Sequence, residues 1–208
     1  MWQHPTTETV VCYKGELSSD LTDPLNKFIS QWKEGRISLE KHVQRNTPDS
    51  DRHDPFHCSK DALSGYIKRG CIDTATHTDM GVFNVNTRNF IHYDDVINSI
   101  IWALASELPR CSIKLSGHFL YKGQNSYMGW HTNCGKPGLR VYFNYVSEDN
   151  KSFFRYYNPH TREIITSYDK KGWQARLFEI HESNPLWHCV YSDVDRVSIG
   201  FRVYPNLA

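Results

Sequence analysis

The spacing of apolar residues changes near residue 110. Before that point it is helical. Leu25, Phe28, Ile29 and Trp32 recur on one face at the 3.6-residue period. Asp23-Pro24 reads as the start of that helix, a capping side chain followed by proline at the first helical position. A second apolar face comprises Ile97, Ile100, Ile101 and Leu104, and Pro109 marks its end. Between the two, residues 46–58 (NTPDSDRHDPFHC) are polar and broken by proline, which predicts a loop. From Cys111 onward the period shortens. The runs CSIKLSGHFLY, LRVYFNYV, SFFRYY, EIITSY, WQARLFEI, LWHCVY and RVSIGFRVY alternate with turn-forming clusters such as Ser147-Glu148-Asp149-Asn150 and Asn158-Pro159. Regular short strands of this kind predict a sandwich or jelly roll. The expected organisation is a helical and loop region over 1–110 packing on a β core over 111–208, as one structural domain. The helices are expected to buttress one face of the sheet.

Composition narrows the class. The 12 Tyr, 10 Phe and 6 Trp favour strands and pocket linings. Lys and Arg number 24 against 23 Asp and Glu, which argues against a protein held on nucleic acid by a dedicated basic face. No stretch approaches the roughly 20 apolar residues of a membrane span. The start, MWQHPTTETVV, lacks the basic and apolar regions of a signal peptide. The expected setting is therefore soluble and cytoplasmic. The cysteines at 12, 58, 71, 111, 134 and 189 include no CxxC pair, and a domain of this size needs no staples, so reduced thiols are expected. Neither a glycine-rich phosphate loop nor a G-x-S-x-G elbow is present, which leaves nucleotide hydrolysis and serine-hydrolase chemistry without support.

Position selects among the eleven histidines. His131, in YMGWHTNCGKPGLRVYF, follows an inferred strand end and precedes a glycine-rich turn. His188 lies within a strand beside Trp187. A jelly roll brings strands distant in sequence together, so the two can converge as neutral imidazole ligands for a divalent first-row metal. Taken singly, each is more simply a partly buried structural histidine. The last strand adds weight. Arg196, Ser198, Gly200 and Arg202 alternate with Val197, Ile199, Phe201 and Val203, so the two sets occupy opposite faces. Two arginines and a serine pointing into a barrel are costly unless an anion meets them. A guanidinium fork with a neighbouring hydroxyl suits a carboxylate. A polar outer face on an exposed strand is the competing explanation.

With these residues in place, the segment from about residue 112 to the end resembles the catalytic core of the iron(II)/2-oxoglutarate oxygenases. That resemblance implies an α+β, mainly β fold, a double-stranded β-helix with an amino-terminal helical annex. In that family a first histidine lies in an H-x-D/E motif, a distal histidine follows some tens of residues later, and an arginine comes soon after in R-x-S. The run FLYKGQNSYMGWHTN, with Tyr121 and Gly123 ahead of His131, is similar to the approach to the first histidine, and His188 matches the distal one. Arg196 and Ser198 match the pair that holds the far carboxylate of 2-oxoglutarate. Arg202, in RVSIGFR, resembles a second arginine of the alkylation-repair dioxygenases, and HTNCGKPGLRVYF resembles the aspartyl/asparaginyl β-hydroxylases. The implied cofactors are Fe(II) and 2-oxoglutarate, with Tyr121 and Arg202 as further cofactor contacts. The implied activity is oxidation of a C–H bond, most simply hydroxylation. Tyr121, Tyr142, Asn144 and Trp130 are expected to line the pocket.

The chain departs from the family pattern at Asn133, where the third ligand would be a carboxylate. An amide is a weaker, neutral donor. Water or another anion could complete the site, a halide could occupy it, or the fold could serve binding without turnover. A literal H-x-D does occur at His77-Thr78-Asp79, but it has no strand pattern around it, so His131 is the better candidate. His77 or Asp79 could still fold over the site and supply the missing ligand. The cluster His53, Asp54, His57 and Cys58 lacks the paired spacing of a structural zinc site and reads as a surface loop. Two further readings stay open: a catalytically inactive jelly-roll binding module, and a cupin-like metal protein without 2-oxoglutarate. Nothing in the pattern separates a small molecule, a peptide side chain and a nucleobase as substrate, or sets the oligomeric state.

Overall fold

The computed structural model describes residues 10–13, 16–41, 55–71 and 84–206. The amino-terminal part supplies β1 (Val10–Tyr13), α1 (Ser19–Lys33), β2 (Ser38–Lys41), a 3-10 turn (Pro55–Cys58), α2 (Lys60–Lys68), β3 (Asn84–Val85), β4 (Thr87–Ile91) and α3 (Asp94–Glu107). The core strands follow as β5 (Cys111–Tyr121), β6 (Ser126–His131), β7 (Gly138–Val146), β8 (Ser152–Tyr157), β9 (Ile164–Tyr168), β10 (Gly172–Ile180), β11 (His188–Ser192) and β12 (Arg196–Pro205).

All strand pairs are antiparallel and form two sheets, β1-β10-β7-β12-β5-β4-β2 and β3-β6-β11-β8-β9. Within the core, β5, β7, β10 and β12 lie in the larger sheet, and β6, β8, β9 and β11 in the smaller one. This alternation between facing sheets is the double-stranded β-helix, and it fills the expected fold class, mainly β with few helices. Segments before residue 110 also contribute β1, β2 and β4 to the larger sheet and β3 to the smaller.

Alternation along β12 decides what each face of the larger sheet meets. Val197, Ile199, Phe201 and Val203 point outward and pack with Leu21, Leu25 and Phe28 of α1 and with Ile97, Ile100 and Leu104 of α3. Each such side chain removed from water contributes about 1.5–3 kcal/mol. Arg196 and Ser198, on the other face, line a cavity between the sheets. The helical cover is more extensive than expected, because the smaller sheet is backed as well. Cys58 of the 3-10 turn and Leu63 and Tyr66 of α2 pack against Tyr127, Trp130 and Trp187. Helix α2 carries a start signal, Ser59, whose side chain accepts from the Ala62 N–H. Its apolar stripe is only Ala62, Leu63 and Tyr66, too short for periodicity to reveal. Helix α1 starts at Ser19 rather than at Asp23-Pro24, because Leu21 extends the buried stripe towards the amino terminus. Pro24 lies inside the helix, where its ring removes one backbone donor. Among the described residues, no helix is long and apolar enough to cross a membrane.

Within the larger sheet the Tyr142 ring of β7 lies against Gly200 of the neighbouring strand β12. These are register partners, and a Cβ on Gly200 would overlap the Tyr142 ring. At Gly117 a Cβ would meet Phe119 Cε2 at 3.0 Å and the Tyr142 hydroxyl at 3.1 Å, so these side chains need give only a few tenths of an ångström. Gly200→Ala is therefore expected to destabilise the fold by about 1–3 kcal/mol. Gly117→Ala should cost less, with urea denaturation of the two variants as the measurement.

Candidate active site

His131 closes β6 and His188 opens β11, and the two are register partners. Between this pair and the pair Met128–Val190 the register shifts, with one residue more on β6 than on β11. That bulge turns Met128 and His131 to the same face although three positions separate them. Both line the cavity, while Tyr127 and Trp130 face outward into the cluster behind the smaller sheet. Trp130 is thus not a pocket residue; its indole N–H donates to the Ser59 carbonyl at 2.7 Å.

The imidazoles stand with ring centroids 4.1 Å apart. In each, Nδ1 lies 2.8 Å from the backbone carbonyl two residues earlier, Gly129 for His131 and Leu186 for His188. A carbonyl only accepts, so each Nδ1 carries a proton, and in the neutral ring Nε2 is the nitrogen with the lone pair. Backbone anchoring of this kind fixes the tautomer of a metal-binding histidine. Burial, reinforced by the neighbouring His131, pushes the His188 pKa well below its ordinary value, although the Leu186 carbonyl opposes this. His188 is therefore neutral at neutral pH, the form that ligates.

Asn133 stands beside the pair, with its amide nitrogen 3.4 Å from His188 Nε2. Its backbone is left-handed (φ 56°), a conformation that Asn and Asp tolerate better than other non-glycine residues. The Asn133 carbonyl accepts from the Lys136 N–H at 2.9 Å and closes the turn into β7. Among the described residues, no group of three or more His, Cys, Asp and Glu is placed to hold a metal. His77, Asp79, His53 and Asp54 lie outside the described residues. His57 contacts the Tyr66 hydroxyl at 3.1 Å, and Cys58, expected on a surface loop, is buried.

The same cavity, about 140 Å³, is walled by Phe119, Phe154, Phe178 and Val190 and reaches Arg176 and Arg196. Arg196 is 1 % exposed. Its Nε donates to Asp169 at 2.7 Å, and Asp169 also pairs with Arg176 Nη1 at 2.6 Å. Asp169, in the turn between β9 and β10, further accepts from the Ser152 hydroxyl and from the Gln174 amide at 2.7 Å. Burial favours protonation of this carboxyl, but Arg196 and Arg176 outweigh it and hold the pKa down to about 2. One carboxylate thus faces two guanidiniums, and the buried Arg196 Nη1 has no hydrogen-bond partner among the described residues. The Tyr121 ring flanks that guanidinium at 5.3 Å. Ser198 donates to Asn144 Oδ1 at 3.1 Å, and both line the cavity.

The structure therefore brings His131, His188, Asn133, Tyr121, Arg196 and Ser198 to one cavity, together with Tyr142 and Asn144. Arg202 is not on its wall; it lines a second, polar cavity that shares Asn133 and Tyr142. Sequence reasoning did not find Asp169 or Arg176. Asp169 falls in a polar turn where any acidic residue is ordinary. The only signal for Arg176 was an arginine interrupting the apolar run WQARLFEI.

No protein-family model matches the chain, and no curated protein matches its sequence. Solved structures similar to it include a Pseudomonas putida prolyl-4-hydroxylase at 12 % identity, covering 96 % of this chain and 95 % of that one with a TM-score of 0.46. A Burkholderia pseudomallei oxidoreductase of the 2OG-Fe(II) oxygenase family is similar at 11 % identity, 94 % and 93 % coverage and a TM-score of 0.43. A Trichoplax adhaerens prolyl hydroxylase in complex with a hypoxia inducible factor peptide fragment is similar at 15 %, with 92 % and 95 % coverage and a TM-score of 0.39. The double-stranded β-helix is defined by the chain's own strand order, independently of these likenesses.

Two consequences of the Asp169 cluster are measurable. Asp169→Asn leaves two guanidiniums buried without their anion and is expected to cost about 3–5 kcal/mol in urea denaturation. The folded carboxyl titrates below its unfolded value, so its contribution is complete above about pH 4 and is lost as pH falls towards 2. Wild-type stability should fall across that window by on the order of 2 kcal/mol more than that of the variant.

Proposed function

We propose that this chain is an iron(II)- and 2-oxoglutarate-dependent oxygenase, a hydroxylase in the simplest form. One observation carries the proposal. Two histidines whose Nδ1 atoms are anchored to backbone carbonyls, so that each Nε2 is the nitrogen left to ligate, share a cavity with a buried guanidinium whose Nη1 has no partner among the described residues. A keto acid that chelates a metal at one end and carries a carboxylate at the other matches both features. The size is appropriate too: an apolar cavity of about 150 Å³ takes one benzene-sized molecule, so about 140 Å³ suits a short dicarboxylate.

On this reading His131 and His188 hold the metal through Nε2. A half-turn of the Asn133 amide would present its oxygen in place of its nitrogen, giving a weak third donor, or water would fill that position. Arg196 Nη1 meets the far carboxylate. Ser198, whose proton now goes to Asn144, would turn that proton to the same carboxylate. Asp169 and Arg176 hold the Arg196 side chain in place, and the Phe154 and Phe178 rings keep water away from the histidines. When bound, iron and 2-oxoglutarate supply the oxidation of a C–H bond by dioxygen, with succinate and carbon dioxide as co-products. Positioning and the exclusion of water are the protein's share.

A specific contact favours a second reading, a jelly-roll binding module without turnover. The Asn133 amide nitrogen already faces the His188 lone pair, and among the described residues no carboxylate joins the donor set.

Anaerobic titration of the purified protein with iron(II) and 2-oxoglutarate separates the two. The oxygenase reading expects a weak visible charge-transfer band that fades in His131→Ala and His188→Ala. Arg196→Gln should lose the band at moderate keto acid while retaining iron, with Arg176 still neutralising Asp169. A folded wild-type protein without the band would leave the binding module as the better account. Asn133→Asp introduces a charged ligand on a backbone that accepts it. Iron affinity, followed by competition with a chelator, is expected to rise on the order of tenfold or more.

A further inference from the structure

Beyond Tyr142 lies a second cavity of about 280 Å³, lined by Ser116, Asn133, Lys136, Arg140, Tyr142 and Arg202 together with the Leu115 side of β5. Arg140 of β7 and Arg202 of β12 are register partners, so two guanidiniums stand side by side on adjacent strands. Like charges directly opposite one another on a sheet are destabilising. Arg140 is only 4 % exposed. Its Nη2 donates to the Lys136 carbonyl, but among the described residues its buried Nη1 has no hydrogen-bond partner, nor has Arg202 Nε. Among the described residues neither arginine forms an ion pair with a carboxylate. Burial, then the charge of Arg202, lowers the Arg140 pKa, against the raising effect of Tyr142 and Tyr204. An arrangement of this kind, costly in the free protein, is relieved by a bound oxyanion.

We propose that Arg140 and Arg202, assisted by Lys136, form an oxyanion subsite that anchors a carboxylate or phosphate group carried by the substrate. The subsite shares Asn133 and Tyr142 with the histidine cavity, so a group held there places the rest of its molecule beside His131 and His188. It is separate from the Arg196 site, which already answers the far carboxylate of the keto acid. The substrate role rests on the oxygenase reading above; the oxyanion site itself does not.

Inorganic phosphate is the probe, with binding followed by calorimetry and by the phosphate-dependent rise in melting temperature. Wild-type protein is expected to bind one phosphate. Arg202→Gln and Arg140→Gln should each weaken it at least about tenfold, the loss of one charge-assisted contact. Arg202→Gln should also melt higher than wild type in phosphate-free buffer, since it removes the repulsion. A misfolded variant would melt lower. Arg196→Gln and the double variant His131→Ala/His188→Ala should bind phosphate as wild type does. Absence of binding by wild type overturns the proposal, as does binding retained in Arg202→Gln and Arg140→Gln, or lost in Arg196→Gln alone. A 2-oxoglutarate charge-transfer band weakened in Arg202→Gln would assign that arginine to the cofactor and overturn it too. Phosphate binding that depends on Arg140 and Arg202, in a protein that shows no such band, would sustain the subsite while the oxygenase reading falls.

Discussion

The buried Asp169 carboxylate is the constraint on which the cavity depends. It sits in the turn from β9 to β10 and takes hydrogen bonds or ion pairs from Ser152 of β8, Gln174 and Arg176 of β10, and Arg196 of β12. Those strands belong to both sheets, so one side chain ties the sandwich together at the end that carries the arginines. Without it, neither guanidinium could be taken out of water at acceptable cost. With it, the cluster still has one positive charge in excess, and the unpartnered Arg196 Nη1 carries that excess on a residue of the cavity wall. Such clusters contribute less to net stability than to fixing where a charge stands.

The histidine end is set by backbone irregularity instead of charge. A regular β6 would put Met128 and His131 on opposite faces. The register shift against β11 places both in the cavity and leaves Trp130 to pack behind the sheet. Two carbonyls then lock the rings, and the left-handed turn at Asn133 brings an amide to the edge of His188. Gly200 completes the arrangement by letting the Tyr142 ring lie across β12, where it separates the histidine cavity from the basic one.

Much of this was legible in the chain. Short runs rich in β-branched and aromatic residues between turn-forming clusters located β5, β7, β8, β10 and β12 to within a residue. Alternation along the last strand gave the correct faces of Arg196 and Ser198, and of Val197 and Ile199. What escaped was whatever depends on contacts across sequence rather than on period. Arg202 continues the polar face of β12, yet it opens into a different cavity from Arg196, because Tyr142 lies between them. Trp130 looked like a lining residue because a bulge cannot be counted from sequence. Asp169 and Arg176 announce themselves only once β8, β10 and β12 are in place, since a lone acidic turn residue and a lone strand arginine each have common, inert explanations.

Charge balance connects the two ends. As metal donors the groups at the histidine end, two imidazoles and an amide, would bring no negative charge to a divalent cation, while the inner arginine cluster keeps an excess positive one. On the proposed reading, metal alone would enter a site whose surroundings repel it, and the keto acid alone would leave one of its ends without a partner. Together they offset most of that charge, because the chelating carboxylate faces the metal and the far carboxylate faces Arg196. On that reading the two binding events would be coupled, and by linkage each would raise the affinity for the other by the same factor. A carboxylate at position 133 would supply part of that negative charge permanently and so weaken the coupling even as it tightened the metal. On that reading Asn133 does more than weaken a ligand set: it would make occupation of the metal site conditional on the acid that arrives with it.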